Sequence, residues 1–137
     1  MSLDLTSLHK AAASLEEILR TYDSTFESPL ATPELMRGLK AGIIQNFEFT
    51  YELSWKFMKR WLEINVSPAT SNVFTRRELF RYAAEAGLID DVAKWFKYNE
   101  ARNIIFHTYD EEKADKILEN AVAFKDDVNA LYNVLNA

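Results

Sequence analysis

The sequence predicts an all-α fold, a four-helix up-and-down bundle with one short extra helix. Three observations predict it. Apolar residues recur at helical spacing along nearly the whole chain. Glycine and proline number 3 each in 137 residues, too few for a sandwich, a barrel or a disordered tract. The breaks between periodic runs are short and hold residues that start and stop helices. The length is that of one ordinary domain, residues 1–137. No internal repeat or low-complexity tract interrupts it.

Helix one runs from about Leu5 to Phe26, with Leu5, Leu8, Ala12, Leu15, Ile18, Leu19, Tyr22 and Phe26 on one stripe. "ESPLATPE" ends it. Thr32 is the expected N-cap of helix two, with Pro33 at the first helical position and Glu34 in the first turn. Helix two extends from Pro33 to about Ile64, roughly 48 Å at 1.5 Å per residue. "NVSPATSN" is the next loop. "TRRE" at 75–78 is a capping box that opens the short third helix, and Gly87 is its expected terminator. Asp90 is the expected cap of helix four, Asp91 to His107. Asp110, with Glu111 and Glu112 behind it, is the expected cap of helix five, because carboxylates favour a helix N-terminus. Helix five carries Ala114, Ile117, Leu118, Ala121, Val128, Leu131 and Leu135 on one stripe.

Composition excludes several classes. Hydrophobic residues make up 48% of the chain, enough for a core, and charged residues 27%, too many for a membrane protein. No apolar run approaches the ~20 residues of a span. The opening "MSLDLTSLHKAAASLEEILR" reads as an acidic amphipathic helix rather than a targeting segment. With 0 cysteines there is no disulfide, thiolate metal site or thiol nucleophile, which fits a cytoplasmic location. Only His9 and His107 are available as imidazole ligands, so no metal and no cofactor is expected.

The net charge of −5 is unevenly spread. Residues 1–55 hold 4 basic and 8 acidic side chains, residues 56–102 hold 9 and 6, and residues 103–137 hold 3 and 7. The positive middle contains Lys56, Lys59, Arg60, Arg76, Arg77, Arg81, Lys94, Lys97 and Arg102. If these side chains converge they offer a local phosphate site; otherwise they are a solvated surface. The whole protein is not a strongly basic nucleic-acid binder.

On a wheel, Leu39, Ile43, Ile44, Phe47, Tyr51, Leu53, Trp55, Phe57, Met58, Trp61 and Leu62 of helix two cover an arc of about 200°. Such a helix wants protein on two sides. Either a second copy packs there as a two-fold dimer, or the chain's own third helix covers the remainder. The dimer is the expectation. Asn46, Thr50 and Ser54 fall inside the arc and need hydrogen-bond partners. Thr and Ser can bond back to a carbonyl one turn earlier. Asn46 is a candidate substrate-binding residue facing a shared cleft. Gly38 and Gly42 allow close helix approach or simply weaken the helix.

"ARNIIFHTYD", residues 101–110, places an arginine, an asparagine, a histidine and a tyrosine at the end of an apolar helical run. Asn103 and His107 share a face. Arg102 and His107 are about 140° apart on one straight helix, so they meet only if the helix ends or if two copies bring them together. Histidine acts as a general acid or base near neutral pH, and arginine stabilises a phosphate's developing charge. Such a pair can cleave RNA without metal, by activating a ribose 2′-hydroxyl. Equally, Arg and His at a helix C-terminus complement its dipole with no function at all.

Three separated blocks carry a resemblance: "GIIQNFEFTYELSWKFMKRWLE" (42–63), "TRRELFRYAAEAGLID" (75–90) and "RNIIFHTYDEEKADKI" (102–117). They resemble the nucleotidyltransferase substrate-binding family of small helical proteins, relatives of HEPN domains, over about Leu39 to Leu135. The resemblance implies a four-helix bundle, a homodimer, and a partner encoded alongside, a minimal nucleotidyltransferase on a separate chain, in pairs that resemble toxin–antitoxin modules. It implies that Arg102 and His107 form the Arg-x4-His ribonuclease site of HEPN relatives, with Asn103 as the polar residue after the arginine. It implies that Tyr109, in the Arg-x4-His-x-Tyr arrangement, accepts adenylyl groups from the partner. Where the family often has small or polar residues, this chain has Ile104, Ile105 and Phe106, which makes a drier groove.

Three functional expectations follow. The first is a substrate-binding or toxin subunit working with a separate nucleotidyltransferase. Its nucleotide or phosphate cleft would use Asn103, Asn46 and Lys97. The second is a metal-independent ribonuclease using Arg102 and His107. The third is a non-catalytic helical adaptor.

Overall fold

The computed structural model describes residues 3–67, 75–104 and 111–137. Five helices account for nearly all of them: α1 (Thr6–Phe26), α2 (Pro33–Asn65), α3 (Arg76–Glu85), α4 (Val92–Ile104) and α5 (Glu111–Leu135). Among the described residues there is no strand, and no helix is long and apolar enough to cross a membrane.

Local chemistry sets most of the ends. Thr32 caps α2, its hydroxyl accepting from the Leu35 N–H at 3.1 Å, with Pro33 at the first position. Thr75 caps α3 by accepting from the Glu78 N–H at 3.2 Å, and its own hydroxyl lies 3.3 Å from Glu78 Oε1. The α3 C-terminus closes with the Leu88 N–H on the Ala83 carbonyl and the Gly87 N–H on the Ala84 carbonyl. This is a Schellman arrangement around Gly87, whose φ of 81° suits glycine. The cap of α4 is Asp91 rather than the expected Asp90: its Oδ1 accepts from the Lys94 N–H at 3.3 Å. A carboxylate three residues before the receiving N–H has the cap geometry, and Asp90 is one position too far back. Asp110 and the expected end of helix four at His107 lie outside the described residues.

Cross-helix contacts give the directions. Ile18 meets Gly42, Ser14 meets Asn46 and Ala11 meets Thr50, so α1 and α2 are antiparallel. Lys40 pairs with Asp115 and Phe47 packs on Phe124, so α2 and α5 run the same way. Tyr51 reaches Asn99 while Glu48 reaches Arg102, so α4 opposes α2. The result is an up-and-down bundle with α3 inserted before α4.

The centre is aromatic. Phe124 of α5 packs edge-on against Phe47, Trp95 and Tyr98, at centroid distances of 5.2, 5.6 and 5.0 Å, and Tyr51 joins them at 6.4 Å. Burying each such ring stabilises the fold by about 1.5–3 kcal/mol. Phe124, absent from the stripe read in the sequence, is the ring common to these contacts. Phe26 departs the other way: it is 66% exposed, lying in the last turn of α1 and stacking on Tyr22.

α2 packs against all four other helices. Its wide apolar arc is therefore largely covered by its own chain. Ile43, Phe47, Tyr51, Met58 and Leu62 are buried, while Ile44, Leu53, Trp55, Phe57 and Trp61 sit at the edge of the core. The polar residues in the arc are satisfied within the bundle. Ser54 bonds back to the Thr50 carbonyl at 2.8 Å, whereas Thr50 donates across to the Ala11 carbonyl of α1 at 3.3 Å. At Gly42 the space is taken by Ile18 of α1: a Cβ there would lie 2.5 Å from its Cδ1, so the side-chain tip would have to turn aside. Gly38 has open space instead.

Candidate functional site

α4 turns Trp95, Tyr98 and Ala101 into the core. Arg102, next in sequence, therefore lies at the edge of the α2–α4 groove, its side chain 13% exposed. A guanidinium at that depth needs compensation, and α2 supplies it. Arg102 Nε donates to Glu52 Oε1 at 3.0 Å, and Nη2 is 3.5 Å from Glu48 Oε1. Glu48 and Glu52 are one helical turn apart on the same face of α2. The guanidinium is planar, and Nε and Nη2 share one edge of it. That edge is committed to α2, which fixes the plane of the group. Glu52 is itself held: its Oε2 accepts from Trp55 Nε1 at 3.0 Å. The last turn of α4 is thus tied to the middle of α2 through one carboxylate with both oxygens used.

Beside this pair, the Tyr51 hydroxyl donates to Asn99 Oδ1 at 2.7 Å. Burial pushes the Tyr51 phenol well above its usual pKa; Glu52 adds to the effect, and the positive charges of Arg76 and Arg102 oppose it. Asn99 is one turn before the exposed Asn103, so both amides lie along the same side of α4.

A second group of cations lies along the same wall. The guanidinium of Arg76, in the first turn of α3, sits 3.2 Å from the centroid of the Trp55 ring. Lys56 Nζ lies 5.6 Å from that ring, and Arg77 lies 5.0 Å from the Phe96 ring. Burial lowers the pKa of Arg76, while Tyr51 and Glu52 oppose the shift. Among the described residues Arg76 and Arg77 make no salt bridge.

The residues singled out from the sequence are dispersed. Arg102 and Asn103 stand at the end of α4. Lys97 is exposed, five positions before Arg102 and so about 140° away round the helix. Asn46 is engaged in the α1–α2 seam: its Oδ1 accepts from Ser14 Oγ at 2.6 Å and its Nδ2 donates to the Gly42 carbonyl at 2.8 Å. His107 and Tyr109 lie outside the described residues. Glu48 and Glu52 are not among the sequence-predicted site residues, although two acids at i, i+4 on a helix otherwise rich in aromatics are a legible signal. Arg76 is named in the sequence only as one of nine cations that offer a phosphate site if they converge, and Trp55 only as part of the apolar arc; their contact spans 21 positions and has no local signal.

Chemically, an arginine with one edge held by carboxylates is an oriented donor for a phosphate or an acid. Arg76, over the Trp55 ring, is a planar cation that makes no salt bridge among the described residues, although Glu52 acts on it through space.

Comparison with known proteins places this architecture. A family model described as nucleotidyltransferase substrate binding protein like matches residues 3–137. A curated relative from Haemophilus influenzae, named probable ribonuclease HepT, is 38% identical over 113 residues, covering 82% of this chain and 77% of the relative. A solved structure from Haemophilus influenzae, reported as the fold of a substrate-binding domain of a nucleotidyltransferase, superposes with a TM-score of 0.89. It is 34% identical, and the match covers 98% of this chain and 100% of that one. A Thermus thermophilus crystal structure shares the fold at a TM-score of 0.66 and 22% identity, over 90% of this chain and 99% of that one. A match along almost the entire chain, which includes the helices that build the α2–α4 groove, leaves one conclusion. This chain belongs to the family of nucleotidyltransferase substrate-binding-like proteins.

Proposed function

We propose that the chain is the helical subunit of a two-component system and works with a separately encoded minimal nucleotidyltransferase, in the manner of a toxin–antitoxin pair. The family match along residues 3–137 carries this reading. The geometry supports it by giving the end of α4 an oriented arginine, Arg102, next to the segment that holds His107 and Tyr109. In this reading two copies meet along α2, so that Arg102, Asn103 and His107 of each line one phosphate cleft. Tyr109 is the group that receives an adenylyl unit from the partner. Lys97 and Asn46 contribute charge and support at its margins. Co-expression with the neighbouring nucleotidyltransferase, followed by gel filtration with and without ATP, tests it. A shared peak is expected, and separate elution under every nucleotide condition would refute it.

The relative named probable ribonuclease favours a second, compatible reading: metal-independent cleavage of RNA. His107 takes the proton from a ribose 2′-hydroxyl, the 2′-oxygen attacks the adjacent phosphorus, and the bond to the 5′-oxygen breaks; the departing 5′-oxygen takes a proton from water and the imidazolium returns its own to solvent. The products are a 2′,3′-cyclic phosphate and a 5′-hydroxyl, while Arg102 stabilises the charge gathering on the phosphoryl oxygens. Incubation with RNA in EDTA tests this. Cleavage should survive the chelator and disappear in both Arg102→Gln and His107→Ala; cleavage insensitive to either change would exclude it.

A further inference from the structure

The arginine picked out by the sequence motif and the arginine picked out by the structure are different residues. Arg102 is bonded on one edge by Glu52 and lies near Glu48, so much of its charge is already answered. Arg76 makes no salt bridge among the described residues, and its guanidinium lies 3.2 Å from the centroid of Trp55. Three features make Arg76 unlike an ordinary surface arginine.

First, it is partly withdrawn from water, enough for burial to lower its pKa. A withdrawn cation that makes no salt bridge among the described residues, with Glu52 acting on it only through space, retains attraction for an anion, because solvent screens it less. Second, it occupies the first position of α3, with Arg77 next to it. Positive side chains at a helix N-terminus oppose the helix dipole, so this placement works against the stability of α3. Thr75 and Glu78 supply the capping that the helix needs, without help from either arginine. Third, its guanidinium carbon lies 3.2 Å from the ring centroid, at stacking distance, and a stacked guanidinium keeps its N–H groups directed sideways, where they can receive phosphate oxygens. Arg77 over Phe96 and Lys56 beside Trp55 extend the same wall with two more cations.

We propose that Arg76, laid on Trp55 and flanked by Arg77 and Lys56, forms a subsite for the phosphodiester backbone of single-stranded RNA, separate from the phosphate at Arg102. The subsite rests on the RNA reading above and deepens it: Arg102 meets the reacting phosphate, and the α3 arginines hold a neighbouring stretch of the strand. Glu52 separates the two. It is bonded to Arg102 and to the indole that carries Arg76, so the spacing between the subsites is built into α2. Arg76 touches no reacting atom in this arrangement. It is a binding residue.

Each contact between a cation and a single-stranded phosphate contributes about −0.7 to the slope of log affinity against log salt concentration. The test is fluorescence anisotropy with a short labelled oligouridylate carrying 2′-O-methyl groups. This probe lacks the free 2′-hydroxyl that cleavage requires, so binding is read alone. Arg76→Gln keeps a planar side chain able to lie on the indole and removes the charge. Its slope should be shallower than wild type by about 0.7, so that its affinity changes about 2.5-fold less between 50 and 200 mM salt. Arg20→Gln, an exposed change on α1, should leave the slope unaltered. Circular dichroism of each variant verifies the fold.

A slope unchanged in Arg76→Gln but reduced in Arg102→Gln would overturn the Arg76 subsite and leave the RNA reading standing. An equal reduction in Arg20→Gln would overturn it as a nonspecific charge effect. Absence of wild-type binding even at low salt would overturn the subsite together with the RNA reading beneath it.

Discussion

Glu52→Gln isolates the contact that fixes Arg102. The carboxylate accepts two N–H donors, Arg102 Nε and Trp55 Nε1, each at 3.0 Å. A glutamine amide has one oxygen and one NH2 group, so it can accept from one donor but meets the other with its own hydrogens. The variant therefore loses one hydrogen bond and the charge of the other. A hydrogen bond to a charged partner is worth about 1.5–3 kcal/mol. The Glu52 side chain is 31% exposed and Arg102 only 13%, so solvent screens the pair partly, and the lower end, about 1.5–2 kcal/mol, is appropriate. For a domain of this size that is a fall of roughly 5–8 °C in melting temperature. Thermal and urea unfolding followed by circular dichroism measures it. Arg102→Met leaves Glu48 and Glu52 facing each other and is also destabilising; in the double variant the Gln removes that repulsion. The cycle of the two changes should therefore show a coupling of about 1–2 kcal/mol. A Glu52→Gln protein that melts within a degree of wild type, with additive double-variant behaviour, would refute the claim that α2 orients Arg102 through this carboxylate.

Two further outcomes follow from the same structure. Gly87→Ala places a side chain in a left-handed conformation at φ 81°; nothing lies within 4 Å of the new Cβ, so the cost is backbone strain alone, about 1–2 kcal/mol, readable as a shift in urea midpoint at constant slope. Alkaline titration should find Tyr51 and Tyr98 resisting ionisation: burial raises both phenols above the ordinary value of 10.0, and Tyr98 is raised further by its hydrogen bond to Asp127. A phenol whose folded pKa is raised contributes stability that is complete below pH 10 and declines as pH climbs above it, because the unfolded chain then loses the proton first. Near-ultraviolet tyrosinate absorbance should therefore rise in two stages, the second coincident with unfolding; a single stage complete before unfolding would contradict it.

Local rules made the helices legible. Thr32 before Pro33 and Thr75 before Glu78 declare helix starts within a few residues of sequence, and the structure places the caps there. Asp90 and Asp91 show the limit of that reasoning, since two adjacent acids fit the same rule and only the position of the receiving N–H separates them. The site was less legible because its contacts are long-range. Arg102 was readable as a charged residue near a helix end, but its partners are 50 and 54 positions away on α2. Asn46 shows the same limit from the other side: a polar residue in an apolar arc suggests a cleft, and the sequence does not show that Ser14, 32 positions away on α1, also bonds to it. The broad arc of α2 has the same limit: the sequence shows how much apolar surface a helix has, but not that helices of its own chain bury Ile43, Phe47, Tyr51, Met58 and Leu62 while leaving Ile44, Leu53, Trp55, Phe57 and Trp61 only partly covered.

Electrostatics gives the two arginines different work. The chain carries −5 overall and so repels a polyanion at long range. Whatever phosphate it binds must be captured by short-range contacts. An arginine paired with carboxylates is held in place but much of its charge is cancelled; an arginine stacked on an indole keeps its charge but gains little positional restraint from other charges. A groove with only the first kind would orient a phosphate without attracting it. A groove with only the second kind would attract one without fixing where it sits. Placing Glu52 between Trp55 and Arg102 allows both kinds on one face of α2, because the carboxylate bonds to the indole nitrogen and does not form a salt bridge with the cation above the ring. The residue one turn on from that acid is Lys56, whose ammonium lies 5.6 Å from the same indole, so the side chain that follows Glu52 on α2 adds positive charge near the ring.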